Sequence, residues 1–550
     1  MAELTFEEFL RGLGPGVSPD NIFARLMEQM LQQAEPTLAE AFVTCAVPHR
    51  FDAPLLAALR DGTEEEAADL VKRMSALSFV YQSPDGKYYY HEDARALLLA
   101  RAREDAARFR DWSARAADFY QKRLQEQAEK GEPTPEVQEW SLEFLYHWLA
   151  VDDAAAFALF EQIFRQAEFA WQLSLCSVLV EGVREQAAAL TGDRALWLRY
   201  YEGRLLNAAQ RWAEAAAVQR EVLAQNPEKK LRAWTLQELG NSLQATGQWE
   251  EAIECYKRDV EISRDLGDRA GEASTLGNIG NVYQRQGRWN EALAQYEASL
   301  KLKRELGDRA GEAATLNNIG NVYDSQGRWN DALAQYEASL KMRRELGDRA
   351  GEASTLMGIG NVYQRQGRWN EALAQYEASL KMQRDLGDRA GEAQTLNALA
   401  ITSRKQGQWD KAVEFYQQSL AIDRELGDVD GESTALNNLG VVLAKRGAWQ
   451  DAIANYEASL AIARRLGSRI EEARTLGNLG DLFKETSEWG KAREHYEQAI
   501  LILRGTEDKE QLADWLEELA ELHRMQHNWE DALRCEEEAL GIWRQRIESE

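Results

Sequence analysis

Tryptophan recurs at Trp249, Trp289, Trp329, Trp369, Trp409, Trp449, Trp489 and Trp529, always forty residues apart, and this clock limits the possible folds more than any other feature. An alanine follows three residues after each, from Ala252 and Ala292 through to Ala532. A small residue precedes each at Gly240, Gly280, Gly320, Gly360, Ala400, Gly440, Gly480 and Ala520. Tyr256, Tyr296, Tyr336, Tyr376, Tyr416, Tyr456 and Tyr496 complete the register, and Glu536 breaks it in the last unit. Self-similarity at such a period means stacked supersecondary units, none able to bury its apolar face alone.

Each unit reads as two helices. Between Asp268 and Gln286, the residues Ala273, Leu276, Ile279, Gly280 and Tyr283 recur at three- and four-residue steps, one face of a helix. Asp268 is placed to cap its N-terminus, and Glu272 suits the positive end of the helix dipole. Gly287 then ends the helix. A second helix carries Ala292, Leu293, Tyr296 and Leu300 on one face and runs to Leu306, with Gly307 placed for a left-handed cap. Gly280 and Ala292 are expected where the two helices cross, with Trp289 and Tyr296 filling the space beside them. A bulky side chain at Gly280 then overpacks the crossing by about 1–3 kcal/mol.

The string from Gly280 to Tyr296, G-N-V-Y-Q-R-Q-G-R-W-N-E-A-L-A-Q-Y, resembles a tetratricopeptide repeat, lengthened from its usual period of about 34 residues. The longer form is similar to the arrays of the Pins/LGN polarity adaptors and of kinesin light chains. The resemblance covers eight units over 229–545, with a divergent one at 193–228 that carries Trp212 and Ala215. It implies an all-α fold, a right-handed superhelical solenoid of about nine helical hairpins. It also implies that the first helices line a concave face holding an extended peptide or helix of a partner protein.

Carried over position by position, the groove candidates are Asn241, Asn281, Asn321 and Asn361. Asn317, Asn397 and Asn437 lie one turn earlier; Gln284, Arg285, Gln364, Arg365, Arg404 and Lys405 lie one turn later. Asparagine offers two donors and an acceptor to a ligand backbone, and Arg285 and Arg365 suit a carboxylate. Any one of these residues also fits a solvated helix face. The row is read as a groove because four asparagines at one phase serve no evident core purpose. The carboxylate clamp of chaperone-binding relatives is absent, since Gln237, Gly277, Asn317 and Met357 stand where its lysine would. Ile401, Val441, Asp481 and Glu521 replace the row later on, so binding is expected in the first half of the array and a polar cap at its end. The runs Gly280–Lys301 and Gly360–Lys381 are identical. Two readings of that duplication stay open, a repetitive ligand or a lengthened spacer.

Before residue 193 the register disappears. Residues 36–48, 51–60 and 63–77 read as helices. Ser78–Gln82 and Lys87–Tyr90 read as strands joined by Ser83-Pro84-Asp85-Gly86. Three helices and a hairpin make a winged helix. The strings V-P-H-R-F-D (Val47–Asp52), L-S-F-V-Y (Leu77–Tyr81) and Y-H-E-D-A-R (Tyr90–Arg95) are similar to the winged-helix segment of STAND signalling ATPases. In those proteins a histidine at the position of His91 reaches the nucleotide phosphate. No G-x-x-x-x-G-K-[ST] loop occurs here, so His91 either contacts a separately encoded NTPase or is a structural remnant capping the helix from Glu92. The expected organisation is N-terminal helices over 1–35, a winged-helix-like domain over 36–106, a helical linker over 107–192 broken at Gly131-Glu132-Pro133, a divergent repeat over 193–228, and the array over 229–545.

The chain of 550 residues carries 92 acidic against 65 basic side chains, a formal charge of -27, which repels phosphate backbones and anionic lipid. Acids also outnumber bases in the first 130 residues, so a winged-helix transcription regulator ranks last. The cluster Arg101, Arg103, Arg108 and Arg110, interleaved with Glu104, Asp105 and Asp111, reads as a salt-bridged helix surface. Cys45, Cys176, Cys255 and Cys535 are scattered, the N-terminus lacks a secretory pattern, and no span is apolar enough for a membrane. A cytoplasmic protein is expected. Gly12-x-Gly14-x-Gly16 lacks the strand that a dinucleotide fold needs and reads as a loop. His523 and His527 read as a surface pair rather than a metal site. No catalytic constellation, metal site or cofactor motif emerges, so the sequence points to a non-enzymatic interaction scaffold. The alternative is the regulatory or sensor subunit of a split STAND-type signalling ATPase.

Overall fold

In the computed structural model each forty-residue period is one antiparallel helical hairpin. The structure describes residues 19–130, 135–170, 172–506 and 508–549. The Gly12–Gly16 loop and the break at Gly131–Pro133 lie outside the described residues. The chain divides into two units, Met1–Gly267 and Asp268–Glu550.

The second unit stacks seven hairpins, Arg269–Arg285 with Trp289–Leu306 being the first and Lys509–Met525 with Trp529–Ser549 the last. Local chemistry sets each boundary. Asp268, Asp308, Asp348, Asp388 and Asp428 accept from the backbone N–H of the glycine three residues on, at 2.8–2.9 Å. A Cβ on Gly311 would fall 2.0 Å from Asp308 Oδ2, so the carboxylate lies closer over the glycine than it could over a larger residue, although Asp508 caps Gln511 in the same way in the last hairpin. The first five second helices of this unit end on a left-handed glycine, as at Gly307 with φ +70°, whereas Gly505 after the sixth has φ -89°.

The two helices cross over the tyrosine. A Cβ on Gly280 would stand 2.6 Å from Tyr296 Cε1, and Tyr296 itself is fully buried. Tryptophan does not share that role. Trp289 is half-buried, and Trp329 and Trp449 are exposed at the first residue of their helices. The crossing is narrow enough that one ring beneath a glycine fills it. A buried serine adds a polar tie, with Ser299, Ser339, Ser379 and Ser419 donating to the carbonyls of Ala273, Ala313, Ala353 and Ala393 at 2.6–3.0 Å.

Successive hairpins join through leucine. Leu340 packs with Leu356 and Ile359 of the next first helix, Leu380 with Leu396 and Leu399, and Leu460 with Leu476 and Leu479. Outside this core, Arg304, Arg344, Arg384, Arg424 and Arg464 reach Glu312, Glu352, Glu392, Glu432 and Glu472 at 2.7–2.8 Å. These arginines are more than 45% exposed, so each bridge contributes less than about 1 kcal/mol and steers register more than it adds stability.

The first unit begins with α1 (Pro19–Gln33), α2 (Pro36–Cys45), α3 (Ala53–Arg60) and α4 (Glu64–Met74). An antiparallel pair follows, β1 (Val80–Gln82) and β2 (Tyr88–Tyr90), with Val80 opposite Tyr90. Helices and hairpin thus fall where the sequence puts them. Phe42, Phe51, Leu56, Leu59, Met74 and Leu98 form their core, joined by Trp112 and Ala116 of a long helix from Ala106 to Lys130. A second core gathers Phe160, Phe164, Cys176 and Val183 with Trp197, Tyr201 and Leu231 of the first repeat-like helices.

Three surface expectations change. Arg103, Arg108 and Arg110 bond to Glu185 and Gln186, to Glu40, and to the Val151 carbonyl. They tie helices together rather than pair with the interleaved acids. His523 is 6% exposed and packed inside the last hairpin, so it forms no surface pair with His527. No cluster of metal-ligating groups occurs among the described residues. The last hairpin is not a polar cap, because Trp529, Leu533 and Leu540 are exposed. No described helix is long and apolar enough to cross a membrane.

Candidate ligand-binding groove

Within the second unit, first helices of neighbouring hairpins pack more closely on each other than second helices do, which makes the first-helix side the inner face. Asn281, Asn321 and Asn361 sit on that face, half-buried. Each has a core partner, contrary to the expectation that the row serves no such purpose. Tyr296, Tyr336 and Tyr376 donate their hydroxyls to the three Oδ1 atoms at 2.6, 2.6 and 2.7 Å. In the first unit Tyr256 bonds Asn241 in the same way at 2.8 Å, and Asn241 Nδ2 lies 3.5 Å from Glu238. A buried phenol needs an acceptor, and the asparagine one turn along the facing helix supplies it. The amide is thereby locked with its oxygen inward and its Nδ2 outward. Among the described residues Nδ2 of Asn321 and of Asn361 makes no bond within the chain.

The turn before this row does not belong to the groove. Asn317 is buried and accepts from Thr355 of the next hairpin at 3.1 Å, and Asn437 accepts from Asn478 at 2.9 Å. Asn397 is half-buried, and its buried Oδ1 lacks a partner. Asn317 and Asn437 thus weld successive first helices. Gln284 lies against the Tyr296 hydroxyl at 2.9 Å, and Gln364 donates to Thr402 at 2.7 Å.

The cations vary. Arg285 and Lys405 are exposed and make no ion pair among the described residues. Arg365 is 54% exposed and stands 3.6 Å from Asp324, a carboxyl that burial pushes up. Arg404 is half-buried near Tyr416, whose buried hydroxyl has no hydrogen-bond partner among the described residues where Ile401 has replaced the asparagine. Further along, the face turns acidic at Asp481, Glu485, Glu518 and Glu521, with Lys484 held between the last two. Asp481 accepts from Tyr496 at 2.6 Å, and burial lifts its pKa to about 6. The inner face therefore runs from amides and arginines to carboxylates.

Sequence reasoning missed a charge cluster around the buried Glu143 in the first unit. His49 Nδ1 lies 2.9 Å from Glu143 Oε1 and its Nε2 3.3 Å from Glu185, which Arg95 also holds at 3.1 Å. Burial opposes a charge on His49, but Glu143 and Glu185 outweigh it and lift the pKa to about 9. Glu143 is held well below the usual carboxylate range against its own burial, and Glu185 falls to about 2. His147, fully buried beside Glu143, is pushed down. A cavity of about 210 Å³ adjoins the cluster, lined by Leu142, Leu145, Tyr146, Val178 and Leu179. Nothing local marks these residues, because His49 and Glu143 are ninety-four positions apart. The cluster clamps α2–α3 onto the helices Pro135–Val151 and Leu173–Glu185. His91 stands apart from it, 51% exposed and 3.4 Å from Asp93, with no side-chain bond capping the helix it precedes.

Stacked helical hairpins with a polar inner face define a helical-repeat solenoid. The tetratricopeptide repeat model matches residues 231–305, 271–345, 351–425, 431–505 and 485–545, more than half of the chain, which therefore belongs to that family. None of the curated proteins matches the chain as a relative. Solved structures similar to it include RapI in its apo form, at 15% identity, TM-score 0.49, and 63% of this chain against 97% of that one. A STAND protein with a tetratricopeptide repeat sensor from Pyrococcus horikoshii gives 14%, 0.47, and 84% against 68%. BtubC from P. vanneervenii gives 22%, 0.36, and 39% against 90%.

Proposed function

We propose that the inner face of the second unit, around Asn281–Arg365, holds an extended peptide or helical segment of a partner protein. On this reading the chain is a non-enzymatic scaffold or sensor working in the cytoplasm. One observation carries it: the Tyr–Asn bond fixes Asn281, Asn321 and Asn361 with their oxygens occupied, so the row offers a ligand donors only. Fixed N–H donors suit the carbonyls of an extended backbone, and binding them demands no particular side chain. Arg285 and Lys405 favour acidic residues beside that backbone.

The test must keep the core bond. Alanine would orphan the tyrosine, whereas aspartate retains the acceptor, as Asp481 does naturally for Tyr496. Peptides selected on the full chain are expected to lose binding to the Asn281→Asp, Asn321→Asp, Asn361→Asp triple variant. Undiminished binding would remove the groove from this account.

A second reading rests on the first unit, where α2–α4 and the β1–β2 hairpin stand in the order a winged helix requires. There the chain is the regulatory half of a split STAND-type switch, and His91 meets a separately encoded NTPase. Exposure of the ring favours this, since no bond among the described residues uses its Nε2. Co-purification with a P-loop ATPase, lost on His91→Ala, tests it; co-purification unaffected by the variant excludes the His91 contact.

A further inference from the structure

Four first helices of the second unit end on a cation, at Arg285, Arg365, Lys405 and Lys445. All four are exposed and hold one phase of their hairpins, a turn beyond the asparagine row. Ser325 interrupts the file and Glu485 closes it. A helix C-terminus favours a cation through its dipole. The dipole does not account for this file, because Ser325, Glu485 and Met525 end their helices at the same position. Nor are the cations all spent within the chain. Arg285 and Lys405 make no ion pair among the described residues, Arg365 stands 3.6 Å from Asp324, and Lys445 pairs with Glu485. In a chain of formal charge -27 the file is a local concentration of positive charge beside a row of amide donors.

How the first helices pack sets its spacing. Neighbouring ones touch directly, Asn318 donating to Asn281 at 3.3 Å, Thr355 to Asn317 at 3.1 Å and Gln364 to Thr402 at 2.7 Å. Helices in such contact lie about 8–10 Å apart, so the file repeats at about that distance. Ligand conformations differ in whether they match it. An α-helix returns to one face after about 10 Å, but its carbonyls are bonded internally and leave little for the Nδ2 donors of Asn321 and Asn361. A β-strand covers about 10 Å in three residues, and the third side chain then points to the opposite face. Polyproline II rises about 9 Å per turn of three residues, returns every third side chain to one face and keeps its carbonyls free. That conformation alone suits both the cations and the amides.

We propose that the inner face binds an acidic polyproline II segment of a partner protein, with carboxylates in a three-residue register over Arg285, Arg365 and Lys405. This rests on the peptide-groove reading above and adds the ligand's conformation and spacing. The ligand's acids meet the cations, Ser325 leaves one station uncharged, and the intervening carbonyls accept from the asparagine row.

The test uses the full chain and a fluorescent peptide of about fifteen residues, Glu-Pro-Ala repeated, which makes about five turns of polyproline II. The control has the same composition with its glutamates gathered at alternate positions. The spaced peptide is expected to bind about fivefold tighter or more, since a misplaced carboxylate loses its cation. Arg285→Gln with Lys405→Gln alters two exposed side chains that hold no ion pair among the described residues. It is expected to weaken the spaced peptide about three- to tenfold and to flatten its salt dependence. Equal binding of the two peptides overturns the proposal, as does failure of the spaced peptide to bind or binding that the double variant leaves unchanged. Equal binding that is lost in the Asn281→Asp, Asn321→Asp, Asn361→Asp variant keeps the groove and discards the register, so the two failures are told apart. A single-stranded oligonucleotide of equal charge, bound as tightly through the same cations, would also overturn it, since the file would then read phosphate.

Discussion

The bond from Tyr336 to Asn321 decides whether the asparagine row is core or surface, and a double-mutant cycle measures it. Tyr336 is 1% exposed and its hydroxyl donates to Asn321 Oδ1 at 2.6 Å, with no second acceptor of the kind Gln284 offers Tyr296. Tyr336→Phe removes a donor and its need together, costing about 0.5–1.5 kcal/mol. Asn321→Ala leaves the phenol unpaired beside the core, costing about 1–3 kcal/mol. If one bond accounts for both losses, the double variant costs about 1 kcal/mol less than their sum. Asn321→Asp keeps the acceptor, as at Asp481, whose pKa burial raises from 3.8 to about 6. A carboxyl raised in the fold favours the folded state while protonated. If burial raises an aspartate at 321 in the same direction, the variant is most stable in acid and loses stability as pH rises towards neutral. Stacked repeats need not unfold as one unit, so urea melts of the full chain are paired with hydrogen exchange across Arg309–Leu346. Additive single-variant losses would refute the reasoning, because the asparagine would then have no stake in the buried ring.

Other outcomes follow from the same geometry. Gly320→Val puts a Cβ 2.7 Å from Tyr336 Cε1 and is expected to cost about 1–3 kcal/mol, with exchange protection falling in that hairpin first; wild-type protection there contradicts it. Asp308→Ala removes the cap on Gly311 N–H and should cost about 1 kcal/mol in urea unfolding, whereas Asp308→Asn should cost little. The His49 contribution is complete below about pH 6.5 and disappears as pH rises through about 9, while that of Glu185 is complete above about 4.5 and disappears towards pH 2. With 35% of the His49 side chain open to solvent the loss is roughly 1–2 kcal/mol. His49→Gln should flatten the alkaline side of the profile, and an unchanged slope between pH 7 and 9 would discard the clamp.

Sequence alone was enough to place the helices of the array, because each boundary depends on contacts only three or four residues away. Asp268 finds the N–H of Gly271, Gly307 takes the left-handed conformation, and Gly280 lies above Tyr296 in the same hairpin. Contacts between hairpins were less legible. Asn321 and Asn317 read alike as polar residues of a first helix, yet one accepts from Tyr336 of its own hairpin and the other from Thr355 thirty-eight positions away. Tyr416 is the counterexample to the Tyr–Asn pairing, because Ile401 gives that phenol no acceptor and its hydroxyl is left without a partner among the described residues.

The repeat therefore determined by itself what each unit is, since a forty-residue hairpin is closed by its own caps, glycines and tyrosine. Tertiary structure alone decided what each unit shows to the outside. Whether an asparagine lines the inner face or welds two first helices depends on the neighbouring hairpin. The pairing of His49 with Glu143 depends on three helices converging. Burial and charge pairing across such distances are properties of the packed chain, and no local pattern encodes them.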